Sequence, residues 1–172
     1  MKKLLLSALV LSITVPVMAQ HRVEKLWESD SLTLKGPESA LFDAKSRSLY
    51  ISSMGAGTVV QMDLNGKIMK SDLVKGLNAN KGSGIYNGLF YTAETAAVAV
   101  VDLAKGIIIK RIPIEGAGML NDLAIDSKGI IYVSDTRTGK VHRIEGDKPA
   151  VYLEGIPGAN GLLTVGDNRS EE

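Results

Sequence analysis

From about residue 36 onward, short apolar runs alternate with polar turns, and the arrangement recurs. The clearest copy is Leu120-Asn121-Asp122-Leu123-Ala124-Ile125, then the turn Asp126-Ser127-Lys128-Gly129, then Ile130-Ile131-Tyr132-Val133. Earlier copies run from Pro37-Glu38-Ser39-Ala40-Leu41-Phe42-Asp43 to Leu49-Tyr50-Ile51, and from Gly82-Ser83-Gly84-Ile85 to Phe90-Tyr91-Thr92. The tyrosines of the three copies, Tyr50, Tyr91 and Tyr132, are each 41 residues apart. A period of this size is one four-stranded propeller blade. No 3.6-residue apolar stripe follows Gln20, and the many β-branched residues disfavour helix. The pattern therefore predicts an all-β chain, a partial β-propeller of four-stranded blades.

Within each unit the turns are legible. Asn65-Gly66 and Asn87-Gly88 are two-residue hairpin signals. Val98 to Leu103 is almost wholly apolar, as a strand buried on both faces would be. The units span about Gly36 to Lys75, Gly76 to Glu115 and Gly116 to Glu154, and a fourth begins at Gly155-Ile156-Pro157-Gly158-Ala159-Asn160-Gly161. That is about three blades plus the start of another, whereas closed propellers have roughly four to eight. An open arc leaves two apolar faces wet. The chain thus reads as truncated, with missing blades supplied by a longer parent chain or, in an oligomeric ring, by a second subunit. Trp27, ahead of the first unit, reads as a packing residue.

The first nineteen residues are not fold. Lys2 and Lys3, the apolar run Leu4 to Val17, and Val17-Met18-Ala19 before Gln20 form a signal peptide, with an uncleaved anchor as the alternative. The mature domain is then 20–172, and its expected location is periplasmic or secreted. Without Lys2 and Lys3 the charge stands at 18 basic against 19 acidic residues, and no basic tract occurs. That argues against nucleic acid and, after signal cleavage, against a membrane as partner. The absence of cysteine leaves no disulfide and no thiolate chemistry.

Aligning the units places Glu38, Lys81, Asn121 and Asn160 at one repeat position, at spacings of 43, 40 and 39 residues. Each stands just before the first apolar run of its unit. The innermost strands of a propeller line its central channel, so equivalent positions converge on one mouth. Glu38 offers a carboxylate, and Asn121 and Asn160 offer amide oxygens, donors suited to a hard divalent cation such as calcium. Lys81 would instead meet an anionic group of a substrate. The same Asn121-Asp122 and Asn160-Gly161 dipeptides also read as ordinary turns.

Gly36-Pro37-Glu38 before Leu41-Phe42-Asp43, Leu120-Asn121-Asp122 with Asp126 to Tyr132, and Asn160-Gly161-Leu162 resemble the gluconolactonase, senescence-marker-protein and luciferin-regenerating-enzyme family of six-bladed propellers. The resemblance covers about the N-terminal half of that fold. It implies that Glu38 and Asn160 are ligands of a divalent metal, calcium or zinc, and that Asn121 is a ligand or substrate contact. It implies metal-assisted hydrolysis of a small lactone or sugar-derived ester. A later metal-binding Asp of the family has no counterpart here, and Met119-Leu120 stands where the family has an Arg. The chain as it stands is expected to be impaired. The alternative is a non-catalytic propeller of the NHL kind that binds a protein or glycan.

Other chemistry is sparse. Gly82-Ser83-Gly84 lacks the spacing of a nucleophile elbow, and His142 reads as a sheet-surface residue. Asn168-Arg169-Ser170 is a formal glycosylation sequon.

Overall fold

Short polar turns between runs rich in Val, Ile and Tyr favour antiparallel meanders, since a two-residue turn reverses the chain and β-branched residues suit the pleat. The computed structural model describes residues 24–29, 32–165 and 169–171, the last three as backbone only. The proposed leader and Asn168 of the sequon lie outside the described residues. Blade one comprises β1 (Pro37–Asp43), β2 (Ser48–Ser53), β3 (Thr58–Met62) and β4 (Ile68–Lys75). Blade two comprises β5 (Ser83–Tyr86), β6 (Leu89–Ala93), β7 (Ala97–Asp102) and β8 (Ile107–Pro113). Blade three comprises β9 (Leu120–Ile125), β10 (Ile131–Asp135), β11 (Lys140–Glu145) and β12 (Lys148–Glu154). A two-stranded ladder, β13 (Leu163–Val165) with β14 (Arg169–Glu171), follows. Each four-stranded sheet keeps its strands in chain order. The helical content of the described residues is one 3-10 turn, Met54–Ala56.

Turn chemistry sets the register. Asn87 and Gly88 have φ of 49° and 78°, the left-handed pair that a type I′ hairpin demands, and they bring Tyr86 opposite Leu89. The sheets then stack like blades. The inner strands β1, β5, β9 and β13 contact one another in sequence, and the outer strands β4, β8 and β12 do likewise.

Strand β7 shows why the stack holds. Val98, Ala99, Val100 and Val101 are all fully buried. The period of two sends Val98 and Val100 into one core with Ile112, Leu120, Ile131 and Val133, shared with blade three. Ala99 and Val101 join Tyr50, Val59, Val74 and Phe90 in another, shared with blade one. At roughly 1.5–3 kcal/mol per buried valine, these few residues supply much of the adhesion between blades.

The three tyrosines occupy matching seats on the second strand of each blade. Their partners are Leu41, Gly84 and Ala124 on the first strands. Tyr50 is buried against the edge of Phe90, ring centroids 6.2 Å apart. Tyr91 packs on the core shared with blade three. Tyr132 meets Tyr152 edge-on at 5.2 Å. Trp27 is a packing residue: its ring lies against Gly66 and its Nε1 donates to the Leu64 carbonyl at 3.0 Å.

Candidate functional site at the heads of the inner strands

The candidate residues enter through irregular backbone. In blade one Pro37 pairs with Ser53 and Ser39 with Ser52, so Glu38 is an extra residue in the ladder. In blade two Lys81 donates its amide to the Ala93 carbonyl at 2.9 Å, while Ala93 donates to the Gly82 carbonyl at 2.9 Å. Two residues there face one. In blade three Leu123 pairs with Val133 and Leu120 with Asp135, leaving Asn121 and Asp122 opposite Ser134. The same two-against-one bulge thus heads all three inner strands. Glu38, Lys81 and Asn121 each stand three residues before the partner of the repeat tyrosine. Bulges re-aim side chains at a strand end, which suits a binding rim.

These strand heads are laced together. Ser39 Oγ and Ser83 Oγ are 3.0 Å apart, and the Gly82 amide donates to the Asn121 carbonyl at 2.8 Å. The Ser134 hydroxyl donates to the Asn160 carbonyl at 2.6 Å, and the Thr136 hydroxyl to that of Ala159 at 2.6 Å. Gly82 is needed here: a methyl group on it would overlap the Asp122 side chain and backbone. Glu38 and Asn160 are exposed, Asn121 is half-buried, and Lys81 is only 9% exposed. Of the four, only Glu38 lines the groove of about 330 Å³ on the outward face of blade one, together with Trp27, Leu34, Pro37, Ile51 and Met62. Backbone contacts therefore join the segments of Lys81 and Asn121, and fix Asn160 on blade three, while Glu38 opens onto a groove the others do not line.

Among the described residues, no group of three His, Cys, Asp or Glu side chains is gathered closely enough to hold a metal ion. A cation at the strand heads would rest on the Glu38 carboxylate with the neutral amide oxygens of Asn121 and Asn160. This oxygen set matches a hard cation in donor chemistry. The Lys81 ammonium at the equivalent position favours an anionic group instead.

Two features escaped the sequence reading. Asp122 accepts the Leu162 amide at 2.8 Å on Oδ2, stapling the inner strand of blade three to the chain that follows. Burial pushes its carboxyl above the usual value, opposed by the amides of Leu162 and Leu123. Its one signal in the sequence is its place beside Asn121. The second feature is a repeated strut, three residues after each tyrosine. The Ser53 hydroxyl bonds the backbone of Lys35, Glu94 accepts the Asn78 amide at 2.7 Å, and Asp135 accepts the amides of Gly118 and Met119 at 2.7 and 2.9 Å. Each strut pins the segment that enters its own blade. Burial alone would raise the Asp135 carboxyl, but the amides of Gly118, Met119 and Thr138, with the Thr138 side chain, hold it down at about 2.

His142 is not the sheet-surface residue its polar neighbours suggested. It is 3% exposed and sits behind Asp135, with Nε2 3.8 Å from Asp135 Oδ2. The reason is register: His142 pairs with Val133 and so faces blade two.

No protein-family profile matches the chain, and no curated relative matches it. Solved structures do. Virginiamycin B lyase from Staphylococcus aureus is 20% identical with a TM-score of 0.59, over 72% of this chain and 43% of that one. A gluconolactonase from Xanthomonas campestris is 18% identical with a TM-score of 0.59, over 73% and 49%. A chain of a nidogen/laminin complex is 14% identical with a TM-score of 0.63, over 76% and 52%. The chain spans about half the length of the solved structures it matches. Three four-stranded antiparallel sheets stacked in this order, together with these neighbours, define the fold as that of a β-propeller.

Proposed function

We propose that this chain forms part of an exported propeller hydrolase acting on a small lactone or sugar-derived ester. The observation that carries the reading is the shared bulge, which puts Glu38, Lys81 and Asn121 at one register position on successive inner strands. Glu38, turned from its own groove towards the neighbouring strand heads, would hold a divalent cation, calcium or zinc, with Asn121 and Asn160. When bound, such an ion polarises an ester carbonyl and acidifies water. Lys81 supplies a positive charge for the carboxylate that ring opening releases. Asn121 donates its amide hydrogens to a ring or hydroxyl oxygen and orients it. The propeller gluconolactonase among the neighbours supports this substrate class.

The test is a calcium or zinc titration of the full chain, followed by thermal melting and by lactone turnover. Ligand at about 100 times its dissociation constant adds about 2.7 kcal/mol, which would raise the melting temperature by several degrees. Glu38→Gln should remove that rise. A melting temperature indifferent to both metals would overturn the metal site.

A second reading is a non-catalytic propeller that binds a protein or glycan. The exposed run Val151, Tyr152 and Leu153 on an outer strand favours it. That reading predicts no metal response and no turnover.

A further inference from the structure

Along the outer strands β8 and β12, blades two and three touch without closing up fully. They leave a cleft of roughly 630 Å³. Both walls belong to blades described in full, and the cleft is separate from the strand heads discussed above. Pro113, Ile114, Pro149 and Val151 give it an apolar lining. His142 lines it from within and Glu115 lies at its rim.

The histidine fixes what the cleft asks of a ligand. Its Nε2 is closed off from solvent and has no hydrogen-bond partner, and at 3.8 Å from Asp135 Oδ2 it is too far for one. The ionised carboxylate still favours the tautomer with its proton on Nε2. Nδ1 is then a bare acceptor, and it is the nitrogen the cleft can reach. Burial lowers the pKa of His142, against the pull of Asp135, so the ring is neutral near pH 7. Two nearby cations are already engaged: Lys140 pairs with Glu154 at 3.1 Å and Lys110 with Asp147. Of the residues that line the cleft, Glu115 is the one with a full charge, and that charge is negative. The occupant should therefore be a donor and positively charged. A peptide strand is disfavoured, because Pro113 and Pro149 each lack the amide hydrogen that a ladder needs.

We propose that this cleft binds a small protonated amine with a compact apolar tail. The tail lies on Ile114, Pro113, Pro149 and Val151, and the ammonium donates to His142 Nδ1 and to the Glu115 carboxylate.

Benzylamine, benzyl alcohol and benzoate carry one ring with a cationic, a neutral and an anionic head. The chain has two histidines, His21 and His142, so the imidazole ¹⁵N signals of the full chain are assignable with His142→Gln. Benzylamine should shift the His142 ring nitrogens saturably, benzyl alcohol more weakly, and benzoate not at all. Glu115→Gln should weaken benzylamine about two- to fivefold, the scale of a partly exposed ion pair. Val151→Phe, at a half-exposed position that leaves folding intact, should fill the cleft and abolish the shift. No saturable shift with benzylamine, an equal response to benzoate, or binding indifferent to both variants would each overturn the proposal.

Discussion

Replacing Asp135 by Asn tests whether the struts hold the blades in place. Asp135 is fully buried and accepts four backbone amides, from Gly118, Met119, Arg137 and Thr138, at 2.7–3.2 Å. These bonds hold its carboxyl at about 2 instead of the usual 3.8. Each unit of such a shift corresponds to about 1.4 kcal/mol, so the ionised form adds about 2–3 kcal/mol of stability at neutral pH. An amide in its place turns one acceptor oxygen into a donor facing backbone N–H groups. The variant should lose at least that amount, a large part of a typical domain's margin. The folded pKa is below the unfolded one, so the contribution is complete above pH 4 and fades as pH falls through 4 towards 2. Urea unfolding of both proteins, followed by circular dichroism at several pH values, reads this directly. The gap between wild type and variant should be about 2–3 kcal/mol at pH 7 and should shrink steadily below pH 4. A gap below about 1 kcal/mol at pH 7, or one that stays constant down to pH 2, would refute the reasoning.

Two further predictions concern the packing between blades. Val100→Ala removes two fully buried methyl groups from the core between blades two and three. It should cost about 2–3 kcal/mol in chemical denaturation, whereas Val151→Ala on the exposed outer strand should cost less than about 0.5 kcal/mol. Gly82→Ala forces a methyl group into Asp122 where the inner strands of blades two and three meet. It should lower stability by about 1–3 kcal/mol, and a melting temperature equal to wild type would show that the strand heads are less closely joined than described.

The blades were legible because their determinants are local. Asn87-Gly88 specifies its hairpin through two positive φ angles, and the run from Val98 to Val101 announces a strand covered on both faces. The tyrosine step gave the correct register, since Tyr50, Tyr91 and Tyr132 face equivalent partners. The struts stayed hidden although they keep the same step, because Ser53, Glu94 and Asp135 share an acceptor oxygen and not an identity. The direction of Glu38 could not be read either. A bulge moves a side chain by one register position, and no residue type at Glu38, Lys81 or Asn121 marks it. The burial of His142 was not legible because its surroundings in sequence are polar, while residues of another blade cover it.

Strand β7 belongs to two cores at once. Melting blade two would strip a wall from each of the cores on either side, whereas loosening blade one or blade three forfeits a single shared face. Among the three described blades, disorder therefore reaches the sheet that holds β7 last, as in a stack of coins opened from its outer faces.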